Sequence, residues 1–250
     1  MSTSAFPLAL AFALSAVQGF SEGWPEGLLK GKASDTFDAG KGTLEIVFLG
    51  HSSLILVYAG AYIYIDPVSQ YADYTQFPKA DLILITHQHG NHLDPNVITT
   101  LLKPSTRVVL SKGARAAYGK GEALDWGQSA QAAGIVAEAV PAYNVTSDHL
   151  GFHPKERHDN GYLITAGNLR VYIAGDTEPT AAMATLGRVD IAFLPMNQPY
   201  TMTPEQAAST ARTIRPRILY PYHFGSTDTK TLVQLLAQDR DIDVRIRDLQ

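Results

Sequence analysis

The sequence predicts an α/β fold in which two similar β-sheets pack face to face, with helices on the outside. From position 43 onward, short segments rich in β-branched and aromatic residues alternate with turn residues, which is typical of strands. The predicted strands are 43–49, 53–58, 61–66, 81–86, 107–111, 135–140, 161–166, 169–174, 189–195, 218–222 and 244–247.

The two halves of the chain repeat one pattern of elements. Residues 54–66 are predicted to form a strand, an Ala-Gly turn and a strand that ends in Asp66. Residues 162–176 are predicted to form a strand, a Gly-Asn turn and a strand that ends in Asp176. A further apolar strand follows in each half, at 81–86 and at 190–194. This repetition predicts two similar sheets rather than one.

Three helices are predicted, two of them from their capping signals. Asp94, followed by a proline, caps a helix over 96–102. Thr203 and Gln206 form a capping box before a helix over 207–214. A third helix over 229–238 carries leucines on one face. These helices are expected to cover the outer faces of the sheets.

Composition limits the class of protein. With 250 residues, 45% hydrophobic and 18% charged, the chain is long enough for one substantial domain with a full core. Its 20 Lys and Arg against 24 Asp and Glu give a net charge of −4, and the basic residues are scattered, so no nucleic-acid partner is expected. The absence of cysteine excludes disulfides and thiolate metal ligands.

The N-terminal segment bears on cellular location. Residues 6–17 form a nearly uninterrupted apolar run, shorter than the ~20 residues that span a bilayer. We predict a signal peptide over 1–19 and export to the periplasm or the medium, although no Lys or Arg precedes the run. A packed or disordered N-terminal helix on a cytoplasmic protein is the alternative. Residues 20–41 are predicted to be a linker before a folded domain over 42–250.

Three histidines follow the apolar strand at 81–86, in the run Thr-His-Gln-His-Gly-Asn-His. His87 and His89 are two residues apart, so in extended backbone their side chains share a face, and His92 follows a turn that Gly90 permits. Neutral imidazole suits zinc and iron, and a zinc shell needs about four ligands. The run therefore predicts a metal site completed from elsewhere; chance histidines in a polar loop are the alternative.

Together with three later motifs, this run resembles the metallo-β-lactamase superfamily of metal-dependent hydrolases, whose pattern is Thr-His-x-His-x-Asp-His. The later motifs are Phe-His-Pro-Lys at 152–155, Gly-Asp-Thr at 175–177 and Tyr-Pro-Tyr-His at 220–223. They are similar to the branch that contains L-ascorbate-6-phosphate lactonase and N-acyl-phosphatidylethanolamine phospholipase D. The resemblance runs from about Gly42 to the C-terminus. It implies a four-layer αββα sandwich with its site in the loops at one shared edge.

The resemblance also implies two metal sites that share one carboxylate. The implied ligands are His87, His89, Asn91, His92, His153, Asp176 and His223, with Asn91 and Asp176 assigned to catalysis. His153 is favoured as the third ligand of the first site, with His158 and Asn144 as alternatives. Asp66 and His51 are expected beside the ligands without touching the metal. A helix-capping aspartate is the alternative for Asp176, and a buried core histidine for His51.

Asn91 departs from the family pattern, which has aspartate at this position. An aspartate would ligate the second metal and could take up a proton, whereas asparagine offers only a neutral carbonyl oxygen. The second site is therefore expected to bind its metal more weakly or to stay empty, and activity is expected to be impaired.

The predicted function is a metal-dependent hydrolase that uses a metal-activated hydroxide on a small ester, lactone or phosphodiester. One or two zinc ions are expected, with manganese or iron as alternatives. A small-molecule substrate is the expected partner, without nucleic acid or a stable membrane anchor. The oligomeric state is not predicted. The alternative function is a catalytically silent metal-binding or ligand-binding module, which would show fewer bound metals and no turnover.

Overall fold

The strands of this protein form two seven-stranded sheets, each built in chain order. The structure, a computed structural model, describes residue 24 and residues 27–249. The first sheet contains β1 (Ala33–Asp38), β2 (Thr43–Gly50), β3 (Ser53–Tyr58), β4 (Ala61–Ile65), β5 (Leu82–Ile85), β6 (Arg107–Leu110) and β7 (Glu122–Ala123). The second contains β8 (Ser129–Ala132), β9 (Ile135–Ala142), β10 (Asp159–Ala166), β11 (Leu169–Ile173), β12 (Ile191–Pro195), β13 (Ile218–Tyr222) and β14 (Asp243–Val244).

The two sheets have the same sequence of strand directions. Pairing is antiparallel from β1 to β4 and parallel from β4 to β7. It is likewise antiparallel from β8 to β11 and parallel from β11 to β14. The second and fourth strands of each sheet therefore point the same way as the parallel strands, and their carboxyl ends meet at one edge. This confirms the prediction of two similar halves.

Helices cover the outer faces of the sheets and complete the predicted four-layer sandwich. They are α1 (Pro95–Leu101), α2 (Lys112–Tyr118), α3 (Pro204–Ile214) and α4 (Thr229–Leu235), with 3₁₀ turns at Tyr74–Gln76, Ser147–His149, Lys155–Arg157 and Ala181–Thr185. The buried residues of α1 and α2 pack with outward-facing side chains of the first sheet. Those of α3 and α4 join the main core, which contains the side chains of the second sheet.

Aromatic side chains fill the space between the sheets. Phe48 of β2 lies 5.1 Å, centroid to centroid, from Tyr220 of β13 and 6.1 Å from Phe193 of β12. Near the edge that carries the histidine loops, the hydroxyl of Tyr162 donates to the carbonyl of Ile85 over 2.8 Å and ties the second sheet to the first.

Several predicted boundaries differ from the structure. The predicted linker over 20–41 contains β1, which pairs with β2 along its whole length. Its polar composition hides it, because its buried Asp35 is paired with Arg247, a residue distant in sequence. Helix α2 was missed although Ser111 caps its start and Gly119 adopts the left-handed conformation at its end. Strands β7 and β8 were missed too. The strand predicted over 244–247 is shorter in the structure, where β14 covers only Asp243–Val244.

The predicted signal peptide over 1–19 lies outside the described residues. In the part of the chain that is described, no helix has the length and apolar character needed to cross a bilayer.

We expect Phe193→Ala to lower the free energy of unfolding by about 3–5 kcal/mol, because it removes a fully buried ring from the contact between the sheets. Urea denaturation followed by fluorescence measures this change. Leu102→Ala, at a position that is 38% exposed, is the matched control and should stay within about 0.5 kcal/mol of the parent. A loss at Phe193 no larger than that of the control would contradict this description of the core.

Candidate metal centre

Four potential ligands from three loops converge at the shared edge of the sheets. His87 and His89 follow β5, His153 lies on the loop after β9, and Asp176 follows β11 through Gly175. One ligand atom from each lies within 4.8 Å of those of the others, and all four residues are buried or half-buried. We call these residues the first group.

Three further imidazoles form a second group beside the first. His51 follows β2, His92 ends the histidine run and His223 follows β13. Their ligand atoms also lie within 4.8 Å of one another. The rings of His51 and His223 are in contact, with centroids 3.8 Å apart.

One carboxylate oxygen lies between the two groups. Oδ2 of Asp176 is 3.3 Å from Nε2 of His153 and 3.7 Å from Nε2 of His87. It is also 3.2 Å from Nε2 of His223 and 3.5 Å from Nε2 of His92. This single oxygen therefore has imidazole nitrogens of both groups around it.

Asp66, at the end of β4, orients the imidazoles from behind. His92 donates from Nδ1 to Oδ2 of Asp66 over 2.8 Å, so its Nε2 points towards Asp176. The backbone N–H and the hydroxyl of Thr86 also donate to Asp66, over 2.8 and 2.6 Å. Nδ1 of His87 lies 3.0 Å from that hydroxyl oxygen. Outer carboxylates of this kind fix the orientation and tautomer of ligating histidines.

The outer nitrogens of the other first-group imidazoles also have partners. His153 donates from Nδ1 to the carbonyl of Tyr200 over 3.1 Å, which leaves its Nε2 facing Asp176. Arg157 Nη1 lies 3.1 Å from Nε2 of His89, and Nδ1 of His89 faces the Nε2 of His87 at 3.0 Å.

Burial and neighbouring charges set the protonation of the groups. Burial lowers the pKa of His89 to about 4, with a contribution from Arg157, and lowers the pKa of His223 to about 3. Burial opposes charge on His92, but the carboxylates of Asp176 and Asp66 outweigh it and raise the pKa of His92 to about 10. Burial also opposes ionisation of Asp176, but His223 and His92 hold the pKa of its carboxyl well below the usual range. The carboxylates of Asp176 and Asp66 therefore favour a positive charge on the side chain that lies between them.

The donors present fit a metal ion. Nε2 of His92 and Nε2 of His153 are buried and have no hydrogen-bond partner among the described residues, and both point towards Asp176. A buried imidazole nitrogen without a partner is costly, and a cation removes that cost. Imidazole and carboxylate donors without thiolate suit zinc and similar borderline cations.

Asn91 lies against the second group. Its Nδ2 is 2.9 Å from Nε2 of His51 and 3.4 Å from Nε2 of His223. The amide therefore faces the imidazoles from the position where the family pattern has a carboxylate. His51, which was predicted beside the ligands, belongs to a group that could hold a cation.

The alternatives for the third ligand lie elsewhere. Nδ1 of His158 is 3.0 Å from the carboxylate of Asp125, outside both groups. Asn144 directs its amide to the carbonyls of Tyr200 and His149. Of the three candidates, the structure brings only His153 to Asp176.

A cavity of about 350 Å³ opens onto the centre. It is lined by His89, Asn91, Gly151, Phe152, His153, Asp176, Asn197, Tyr200 and His223. Phe152 and Tyr200 meet edge to face, with centroids 4.9 Å apart, and form an aromatic wall. Tyr222 is fully buried and accepts a hydrogen bond from the N–H of Gly175, so it supports the Asp176 turn instead of lining the cavity.

We expect Asp66→Asn to weaken cation binding about 10- to 100-fold, because His92 loses the carboxylate that orients it. Isothermal titration of the metal-free protein with Zn²⁺ measures the affinity. Asp125→Asn, which alters the carboxylate beside His158, is the matched control and should leave the affinity unchanged. Equal affinities for the Asp66 variant and the parent would show that Asp66 does not support the centre.

Known proteins resemble this chain over most of its length. A family profile described as Beta-lactamase superfamily domain matches residues 45–223. The UPF0173 metal-dependent hydrolase of Thermus thermophilus is 30% identical over 194 residues, which cover 73% of this chain and 84% of that protein.

Solved structures show the same architecture. A protein of Parabacteroides distasonis, assigned as a metal-dependent hydrolase, aligns with a TM-score of 0.84 at 49% identity and covers 88% of this chain and 100% of that one. The metallo hydrolase Igni18 of Ignicoccus hospitalis shares the fold at 22% identity, with a TM-score of 0.66 over 82% of this chain and 95% of that one. Because the profile covers more than half of its length, the chain belongs to the metallo-β-lactamase superfamily of metal-dependent hydrolases.

Proposed function

We propose that this protein hydrolyses small neutral esters or lactones with a zinc-dependent centre built on the first group. One observation carries the proposal: Oδ2 of Asp176 lies 3.2–3.7 Å from the Nε2 atoms of four separate histidines. A buried carboxylate surrounded by imidazole nitrogens is characteristic of a cation site.

The protein's contribution is to fix the donors and orient the water that attacks the substrate. These donors would hold a divalent cation, which would supply Lewis-acid activation of the substrate carbonyl and of water. Asp176 stays ionised, because the surrounding imidazoles depress the pKa of its carboxyl, and it lines the cavity. It can therefore accept a hydrogen bond from the attacking water and hold it in position. Asn91 has no proton-accepting carboxylate, so Asp176 takes this role alone among the described lining residues.

The cavity wall supports an uncharged substrate. Among the described residues that line it, none is Lys or Arg. Phosphodiester sites commonly use such side chains to bind the phosphate oxygens. The wall offers the rings of Phe152 and Tyr200 for apolar contact and the amide of Asn197 for a hydrogen bond. An acyl or lactone group with a modest apolar substituent fits this surface better than a phosphodiester does.

Three compounds test this function: a carboxylic ester and a phosphodiester that share the leaving group 4-nitrophenol, and a lactone. We expect the zinc-loaded protein to hydrolyse 4-nitrophenyl acetate and a γ-lactone, and to leave bis-4-nitrophenyl phosphate essentially untouched. Removal of the metal with a chelator should lower kcat/KM by about 10³-fold or more, because Lewis-acid activation supplies several kcal/mol, and Zn²⁺ should restore it. Release of 4-nitrophenol and titration of the acid formed measure the rates.

A matched pair of variants separates the centre from the rest of the surface. His153→Ala should abolish hydrolysis, whereas His158→Ala, which removes an imidazole outside both groups, should retain it. Zinc binding without turnover of any of the three compounds would instead support a silent metal-binding module. Turnover that persists after metal removal would refute the proposal.

We expect Phe152→Ala to lower kcat/KM for esters with a phenyl or butyl acyl group by about 10- to 100-fold, since a lost apolar contact is worth roughly 1–3 kcal/mol. Hydrolysis of acetate esters should change little, because their acyl group does not reach the wall. Leu150→Ala, at a neighbouring exposed position, is the control. An equal loss for short and long acyl groups would show that Phe152 does not contact the substrate.

A further inference from the structure

The second group contains a histidine for which the family pattern provides no role. His92 and His223 occupy the motif positions of the second site, whereas His51 comes from the turn after β2. The family aspartate for this site is absent, because position 91 is asparagine. Yet the ligand atoms of His51, His92 and His223 lie within 4.8 Å of one another.

We propose that His51 is a ligand of a second cation, held with His92, His223 and the shared carboxylate of Asp176, and that it replaces the aspartate missing at position 91. This proposal rests on the proposed function, because Asp176 belongs to both sites. It gives the second site three imidazoles and one carboxylate from the protein.

Backbone contacts and ring contacts fix the position of His51. Its φ is +54°, in the left-handed region that His223 also adopts, at +44°. Its N–H donates to the carbonyl of Leu249 and its carbonyl accepts from the N–H of His223 over 3.1 Å. The ring stacks on Tyr71 at 5.6 Å and contacts the ring of His223. The two histidines are thus locked together with their Nε2 atoms on the same amide of Asn91.

The internal repeat gives His51 a counterpart in the other sheet. His51 follows β2, the second strand of its sheet, and His153 lies on the loop after β9, the second strand of the other sheet. Both strands end at the edge that carries the centre. His153 completes the first group in the same way that His51 completes the second.

Asn91 leaves room for this role. Its amide donates to His51 and His223, and rotation of the amide group by about 180° would place the carbonyl oxygen there instead. The site would then present nitrogen donors and one neutral oxygen around the carboxylate. Such a site favours Zn²⁺ or Co²⁺ over Mg²⁺ or Mn²⁺, which prefer oxygen ligands. With one carboxylate fewer than the family pattern, it should bind its cation more weakly than the first site.

Metal binding by the full chain tests the proposal without reference to turnover. The variant His51→Asn removes the imidazole and keeps a residue that tolerates positive φ. We expect equilibrium dialysis with elemental analysis to give about two Co²⁺ or Zn²⁺ per parent chain and about one per variant chain. In Co²⁺ titrations followed by visible absorption, the second dissociation constant of the variant should rise at least 10-fold. His158→Asn is the matched control and should retain both cations.

A second pair of variants separates a ligand from a structural residue. In the background Asn91→Asp, a carboxylate occupies the family position, so His51→Asn should cost little second-site affinity. A structural role would lower that affinity equally in both backgrounds and would overturn the proposal. Unfolding of the metal-free variants checks the fold, and His51→Gly, which has no strain at positive φ, repeats the measurement if His51→Asn unfolds.

Two further outcomes would overturn the proposal: a His51→Asn variant that binds both cations as the parent does, or a parent that binds one cation at any concentration. Neither affects the proposed function, because the first cation is counted in the same titration. A parent chain that binds no cation in this titration would instead contradict the proposed function.

Discussion

The oxygen Oδ2 of Asp176 is the atom on which the rest of the centre depends. An ionised carboxylate that is 3% exposed must be compensated, and here four imidazoles from four loop positions surround it. Gly175 makes this approach possible: its φ is +69°, and a Cβ there would lie 2.7 Å from the carbonyl oxygen of Asn160. The loops after β5, β9 and β13 therefore all direct imidazoles towards the same carboxylate oxygen, and these imidazoles are buried although they lie on loops.

Equivalent positions in the two sheets carry aspartates with different roles. Asp66 follows β4 and Asp176 follows β11, which are the fourth strands of their sheets. Asp66 faces the outer nitrogen of His92, whereas Asp176 faces the inner one. The same strand end thus supplies an orienting carboxylate in one half and a shared one in the other. Two stacked copies of one topology suffice to surround an imidazole with carboxylates on both sides.

The sequence predicted the sandwich and the residues that meet at its edge, because strand-end motifs on parallel strands converge whatever the details of the loops. It favoured His153 over His158 from a motif and not from geometry, since the position of His153 depends on how the loop after β9 folds onto the carbonyl of Tyr200. It missed β1, whose buried Asp35 is stabilised by an arginine near the C-terminus. It did not predict that the ring of His51 contacts that of His223, because ring orientation follows from tertiary contacts that no local pattern encodes.

In the second site that we propose, the exchange of a carboxylate for an imidazole would change the electrostatics of the centre more than its shape. If both groups held a divalent cation, the shared carboxylate would leave more uncompensated charge than the family pattern does, and in a buried site this charge would be weakly screened. Asp66 would offset part of this charge through His92, since Asp176 and Asp66 together outweigh burial and raise the pKa of His92. Neutral nitrogen donors can hold a cation that forms strong bonds to imidazole, but they give little to one that depends on charge alone. In the second site that we propose, a histidine in place of the aspartate would make the strength of the metal–imidazole bonds, rather than charge attraction, the main source of affinity.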